Sequence, residues 1–158
     1  MRPLVLPLLG ALALSACTTV ADKPPSAANP APTGATRILD SAAAARLRAN
    51  NGVTLQWIGW NDRGIANVTD NAGTLTLRAA QAQPNGPGRL FLDGTITEIG
   101  ADYFTFAGTI RITDSPDPGR RCEANKVWHF AVTQNRPYWR LREFEWCDRL
   151  TDYIDIYF

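Results

Sequence analysis

From Val53 to Phe158 apolar side chains recur at every second position, and this alternation constrains the fold more than any other feature of the chain. It runs through Val53-Leu55-Trp57, Leu75-Leu77, Leu90-Leu92, Phe104-Phe106, Ile110-Ile112, Trp128-Phe130-Val132 and Ile154-Ile156-Phe158. Successive strand side chains point to opposite faces, so each run buries one face of a sheet and leaves the other toward water. Turn-forming residues separate the runs: Asn61-Asp62-Arg63-Gly64, Asp70-Asn71-Ala72-Gly73, Pro84-Asn85-Gly86-Pro87-Gly88, Gly100 and Gly108. The pattern implies about eight to ten short strands joined mainly by hairpins. The predicted fold class is all-β, a small antiparallel barrel or sandwich of meander type with one short N-terminal helix packed on it. A Gly-Thr-(Leu/Ile) element recurs at Gly73, Gly94 and Gly108 with unequal spacing. It reads as the start of a strand after a tight turn, not as a constant-period repeat.

The helix is expected between Leu39 and Gly52. Asp40 or Ser41 can cap its amino end, four alanines follow, and Asn50-Asn51-Gly52 supplies a stop. A helix of about three turns is marginal in water on its own, so Ile38, Leu39, Ala43 and Leu47 are expected to pack on the sheet. The segment Thr18 to Thr36 holds four prolines, five alanines and a single sizeable apolar residue, Val20. It cannot bury enough surface to offset its own ordering entropy and reads as an extended tether. The chain thus divides into a leader at 1–16, Cys17 with its tether at 17–36, and a β-rich domain at 37–158.

The leader starts with one base, Arg2, and continues through Leu4, Val5, Leu6, Leu8, Leu9, Leu12 and Leu14 to the small residues Ser15 and Ala16. This is the grammar of a signal peptide, and the apolar run is shorter than the roughly 20 residues a spanning helix requires. Leu14-Ser15-Ala16-Cys17 resembles the lipobox of bacterial lipoproteins. That resemblance implies cleavage before Cys17, lipid (diacylglyceryl and palmitate-type acyl chains) on Cys17, and a membrane as partner through that lipid. Several acyl chains make a durable anchor where one is marginal. Thr18 stands where an Asp would signal inner-membrane retention in the best-studied lipoproteins, so the implied address is the outer membrane, periplasmic side. Beyond the lipobox the domain is similar only to the broad class of small β-barrel envelope lipoproteins, which includes ligand binders, assembly factors and lysozyme inhibitors.

With Arg2 in the leader, the mature chain carries 15 basic and 15 acidic residues. Such a balance supplies no long-range field for gathering phosphates and argues against nucleic acid as a partner. Cys122 and Cys147 are the thiols left once Cys17 is acylated, and an exported pair is normally oxidised. A hairpin of strands 126–133 and 138–145 would set Trp128 against Glu143, Phe130 against Leu141, Val132 against Trp139 and Lys126 against Glu145. In that register the two cysteines fall near alignment at its open end, which predicts a structural disulfide. There is no Cys-x-x-Cys to suggest redox catalysis.

His129, the one histidine, falls beside Arg142 in the same register. Glu143 and Glu145, two apart on a strand, would share a face at about 7 Å, within the range of glycosidase carboxylate pairs. These three are the weak catalytic candidates, and without ligand-spaced partners no metal site and no cofactor is expected. The turn Asp114 to Arg121 lacks the alternating ligands of a calcium loop.

All 15 aromatic residues lie between Trp57 and Phe158, and some occupy both faces of the sheet. Tyr153 and Tyr157 lie opposite Ile154, Ile156 and Phe158, while Trp57 and Trp60 have opposite strand parity unless Gly59 breaks the strand. The N-terminal helix is the available cover, and its thin apolar stripe suffices for one tyrosine at most. Tyr153, Tyr157, Trp57 and Trp60 are therefore the expected binding surface. The function this favours is a non-catalytic, membrane-anchored envelope lipoprotein binding a partner protein, glycan or lipid. The alternatives are an enzyme on envelope glycans, and an inhibitor of a cell-wall hydrolase using the Asp114–Arg121 loop.

Overall fold

The computed structural model describes residues 34–158; the leader, Cys17 and most of the tether lie outside them. Nine strands and one helix follow one another: β1 (Arg37–Ile38), α1 (Ser41–Arg48), β2 (Val53–Leu55), β3 (Ile65–Asn71), β4 (Thr74–Ala82), β5 (Arg89–Ile99), β6 (Tyr103–Thr113), β7 (Arg121–Ala131), β8 (Tyr138–Leu141) and β9 (Ile154–Tyr157). The strand order is β2-β9-β8-β7-β6-β5-β4-β3, antiparallel throughout, with β1 added in parallel to the end of β5. The two ends of this path meet at one residue pair. Val53 N–H donates to Gly64 O (3.1 Å) and Gly64 N–H to Val53 O (2.8 Å), so the sheet is a nearly closed barrel.

Closure at so short a seam depends on local chemistry. A Cβ on Gly64 would fall 2.0 Å from Ala80 O, and one on Gly52, where φ is +97°, would fall 2.3 Å from Gly64 O. Only glycine lets the backbones approach this closely. Beyond the seam Gln81, buried on β4, replaces the missing strand pairing. Its Oε1 accepts from Leu55 N–H (2.5 Å), and its amide nitrogen donates to Gly59 O (2.9 Å) and Asp62 O (2.7 Å).

The alternating apolar residues face inward as the period requires. Phe104, Phe106, Trp128, Phe130, Trp139, Ile154 and Ile156 are all fully buried. Phe104 stacks on Phe130 at 4.8 Å and meets Trp139 edge-on at 5.8 Å. An eight-stranded barrel is just wide enough for side chains to fill, and here they do. Gly94 and Gly108 lie in the middle of β5 and β6 as a cross-strand pair and do not begin strands, contrary to the reading of the Gly-Thr element. A Cβ on either would come within 2.8 Å of the Phe106 ring, so the two glycines form the floor on which that ring rests. For the same reason Phe104-Phe106 and Ile110-Ile112 belong to one long strand, not two.

The helix is shorter than expected, ending at Arg48, with Asp40 Oδ1 accepting from Ala43 N–H at 2.7 Å as its amino cap. Ala43, Ala44 and Leu47 are buried, whereas Ile38 and Leu39 are 42% and 54% exposed and do not join the core. β1 runs in parallel along the end of β5, and Leu39 just beyond it donates its N–H to Ile99 O (2.9 Å). Arg46 donates to Ala101 O (2.8 Å) and Arg48 pairs with Asp70 (3.1 Å), which sets α1 across the barrel end formed by the β5–β6 turn and the end of β3. Thr36 is already part of the barrel: its hydroxyl donates to Ile96 O (2.7 Å) and accepts from Leu75 N–H (2.8 Å). Among the described residues no helix is long and apolar enough to cross a membrane.

The opposite end is closed by residues 142–153. The Cys122–Cys147 disulfide forms as expected, with Cα atoms 6.0 Å apart. The hairpin register holds at Phe130↔Leu141 and Ala131↔Arg140, but β8 stops at Leu141 instead of continuing to 145. From there the chain folds over the barrel end. Trp146 packs edge-on against Trp128 at 5.2 Å, and Arg120 binds both Asp148 (2.8 Å) and the fully buried Asp152 (2.9 Å). Trp128 thus meets Trp146 and not Glu143. Lys126 lies 4.2 Å from the Trp128 ring centroid, and among the described residues it makes no ion pair with Glu145.

Three stability outcomes follow from these contacts. Gln81→Leu removes a partner from three backbone groups at the seam and is expected to cost at least about 2 kcal/mol in chemical denaturation. Asp152→Asn leaves the Arg120 guanidinium only the partly exposed Asp148 as its anion, at a cost of about 1–3 kcal/mol, much of which a paired Arg120→Met, Asp152→Leu variant should recover. Replacing both Cys122 and Cys147 by Ser opens the 25-residue connection and should lower stability by about 3–4 kcal/mol on the chain-entropy account.

Candidate functional site

On β8, β9 and β2 the inward positions are Trp139, Leu141, Ile154, Ile156, Val53 and Leu55, which leaves Tyr138, Arg140, Asp155, Tyr157 and Thr54 on the outer face. Pairing sets Arg140 beside Asp155, Asp155 beside Thr54, and Tyr138 beside Tyr157. The Arg140 guanidinium binds Asp155 in bidentate fashion, Nε to Oδ1 and Nη2 to Oδ2, both at 2.7 Å. Asp155 has no exposed side-chain surface and Arg140 only 12%. Burial holds the Asp155 carboxyl above the usual carboxylate range even against Arg140, while the pair raises Arg140 further.

Aromatic rings surround that guanidinium. Its central carbon lies 4.1 Å from the Tyr153 centroid, 5.1 Å from Tyr138 and 5.5 Å from Trp60. Arg136 donates to the Tyr138 hydroxyl (2.7 Å), Arg63 stands 3.9 Å above the Tyr157 ring, and Phe144 meets Tyr153 edge-on at 5.3 Å. Guanidinium–ring contacts of this kind are favourable and orient the cation. Two adjoining depressions of about 330 and 550 Å³ open over the face and share Arg136, Arg140 and Tyr153. Trp60 and Gln56 complete the first, and Gln134, Arg142 and Phe144 the second.

The predicted surface residues do not all meet here. Trp60 is 41% exposed at the rim, Tyr153 is half-buried, and Tyr157 is 9% exposed with its hydroxyl 3.2 Å from Thr54 Oγ1. The cover over Tyr157 is Arg63 and Tyr138, not α1, which lies across the barrel end. Trp57 is separated from the others because β2 already ends at Leu55, contrary to the Val53-Leu55-Trp57 alternation: Ile58 N–H and Gly59 N–H both donate to Leu55 O (3.0 and 3.1 Å) and turn the chain at residues 56–58. Its ring turns to the far barrel end, where Nε1 donates to Asp152 (3.0 Å).

The weak catalytic candidates divide as well. With β8 ended at Leu141, Glu143 and Glu145 share no strand face. Arg142 does stand beside His129, its N–H donating to His129 O (2.7 Å), but Glu143 accepts from His129 N–H (3.0 Å) and bonds His129 Nδ1, so the histidine's side-chain partner is a carboxylate. His129 is 56% exposed on the outside of β7, Glu145 is exposed, and neither depression includes any of the three. The sulfurs of Cys122 and Cys147 lie near Asp148, but their disulfide removes the thiolates a metal would need. The Asp114–Arg121 loop is pinned by Asp114 accepting from Gly119 N–H and Arg120 donating to Ser115 O, both at 2.8 Å, and exposes residues 116–119.

A further depression, about 800 Å³, crosses the outer face of β5–β7 between Phe91, Arg111, Thr109 and Asn125. Of its charges Arg111 pairs with Glu123 (3.6 Å) and Asp93 with Arg78 (3.2 Å), while Lys126 lies over the Trp128 ring. On the β8–β9 face only Arg140 has a carboxylate partner, and Arg63, Arg136 and Arg142 gather around it without one among the described residues. Arg63, Arg136, Arg140 and Arg142 were invisible to period-two reasoning as a group. The available signal was parity: Tyr138 and Arg140 alternate against Trp139 and Leu141.

The described residues thus form a filled, nearly closed antiparallel barrel with a cationic, aromatic outer face. The chain belongs to the PM1083 family, whose match covers residues 35–158. It is 33% identical over 115 residues to the uncharacterized protein PM1083 of Pasteurella multocida (strain Pm70), covering 72% of this chain and 74% of that protein. No solved structure matches.

The face generates one prediction of its own. Tyr153→Ser removes a ring on which the Arg140 guanidinium rests, and is expected to cost about 1–3 kcal/mol in denaturation, less than full truncation of a buried aromatic.

Proposed function

We propose that this protein is a non-catalytic envelope lipoprotein, anchored through lipid on Cys17 at the periplasmic side of the outer membrane, and that it binds its partner through the Arg140–Tyr153–Trp60 face. The observation that carries the binding reading is the Arg140–Asp155 pair, held rigid among aromatic rings at the surface. Preorganised cations and ring platforms of limited side-chain freedom are what recognition surfaces use. Filling of the barrel with Phe, Trp and Ile side chains argues for recognition outside rather than carriage of a lipid within. Placement of the His129–Glu143 pair and of Glu145 outside both depressions supports binding over catalysis on glycans.

The anchor reading rests on Leu14-Ser15-Ala16-Cys17 and the leader before it. Cys17→Ser should leave an uncleaved or soluble product in membrane fractionation; a protein still cleaved after Ala16 and membrane-bound would overturn it. For the face, a photocrosslinking residue at position 60 is expected to yield discrete adducts in native envelope, and one at position 125 on the opposite wall none. Adducts from position 125 alone would move the binding function to the β5–β7 groove.

A further inference from the structure

We infer that the β8–β9 face binds a saccharide bearing a carboxylate, with the sugar stacked on Trp60 and the acid held by Arg136 and Arg142. This rests on the proposed binding role of the face and specifies its ligand.

Four guanidiniums, those of Arg63, Arg136, Arg140 and Arg142, gather around one stretch of sheet, and the one carboxylate within it, Asp155, is fully buried and engaged by Arg140. Among the described residues no carboxylate oxygen lies within 4.0 Å of Arg63, Arg136 or Arg142. Elsewhere on the barrel Arg37, Arg48, Arg78, Arg111 and Arg120 each have an acidic partner, while Arg46, Arg89, Arg121 and Arg149 have none within 4.0 Å among the described residues; what marks this face is that three arginines without a partner border one stretch of aromatic-lined sheet. The face is therefore a local cationic excess on a chain whose formal net charge is only +1. A complementary ligand brings its own anion, and guanidinium forks match a planar carboxylate.

The rest of the lining selects a sugar. Trp60 presents an exposed ring at the rim, and Tyr153 and Tyr138 continue the aromatic floor under it. Ring faces stack on the C–H faces of a pyranose, while neighbouring amides and hydroxyls satisfy its alcohol groups. Gln56 supplies that chemistry in the first depression, and Thr133 and Gln134 in the second. The two volumes fall within the size range of small-molecule sites, about 300–1,000 Å³. Peptide capture by strand addition is disfavoured because β8 and β9 are each paired on both sides and offer no free edge. A long polyanion needs a more extended run of cations than three unpaired arginines.

The test uses the full mature chain with three carboxylated probes: a galacturonic acid trisaccharide, the N-acetylglucosaminyl-N-acetylmuramic acid disaccharide, and sialyllactose. Methyl-esterified trisaccharide and a tetraglutamate peptide serve as comparisons, and binding is read by calorimetry and by Trp fluorescence. At least one acidic saccharide is expected to bind at least tenfold more tightly than both comparisons. Arg136→Ala, Arg142→Ala and Trp60→Ala should each weaken that binding at least fivefold with the melting temperature unchanged, Arg136→Lys should recover part of it, and Arg111→Ala on the other wall should have no effect. Equal or tighter binding of tetraglutamate would assign the face to acidic peptides and overturn the inference. No binding of any acidic saccharide at millimolar concentration would also overturn it. In either case crosslinks from position 60 would leave the binding role of the face standing, whereas loss of those crosslinks with saccharide binding intact would remove a macromolecular partner only.

Discussion

Closure of the sheet at Val53 and Gly64 is the constraint from which the other features derive. Two backbone hydrogen bonds join the ends of the strand path, and Gln81 supplies side-chain bonds where further ladder pairs are missing. The seam is a single pair: β3 is laddered only to β4, so from Ile65 to Asn71 its outer edge has no strand partner. Closure also fixes the interior at a diameter that Phe104, Trp128, Phe130 and Trp139 can fill. Because the interior is filled by its own side chains, the surfaces open to solvent are the outer faces and the two ends. One end is occupied by α1 and the other by residues 142–153, which leaves the outer wall.

Two arginine–aspartate pairs then divide the remaining work. Arg120 with Asp152 lies at the closed end, fully shielded, and holds the 142–153 segment down together with the disulfide. Arg140 with Asp155 lies on the wall, where one side of the guanidinium meets rings instead of water. Burial raises both aspartates above the usual carboxylate range, so in each pair the anion is the costly member. Between the unfolded and folded pKa values the native state binds more protons than the unfolded chain. These two groups therefore add stability as pH falls through that window and lose it again as pH rises through the folded value. Such pairs are weak evidence for stability but strong determinants of geometry, since removing one partner strands the other.

Inward residues were legible in the sequence because a strand's period is two and each hydrophobic run was long enough to show it. Ile154, Ile156, Phe104, Phe106 and Trp128 sit where alternation requires, and the cysteine pair follows from a hairpin register correct over its first residues. Legibility failed where a residue serves the tertiary structure rather than its own element. Gly94 and Gly108 look like turns locally and act as the floor for Phe106, a contact between strands that no local window contains. The end of β8 at Leu141 is set by Trp146 returning to Trp128 and by Arg120 drawing in Asp148 and Asp152, all long-range interactions. β3, reading IANVTDN, carries only Ala66 and Val68 inward and gives too little hydrophobic contrast to mark it as a strand.

The candidate site was half visible for the same reason. Tyr153 and Tyr157 declare themselves by parity, because large rings opposite a core-facing row demand an explanation. Their partners come from three separate stretches, Trp60 and Arg63 before β3, Arg136 to Arg142 around β8, and Asp155 on β9, which only closure of the barrel brings onto one wall. The family match begins at residue 35, and the first buried barrel contacts are those of Thr36. The stretch matched by the family model is thus the barrel itself, and the three separate stretches that meet on its β8–β9 wall all fall inside that match.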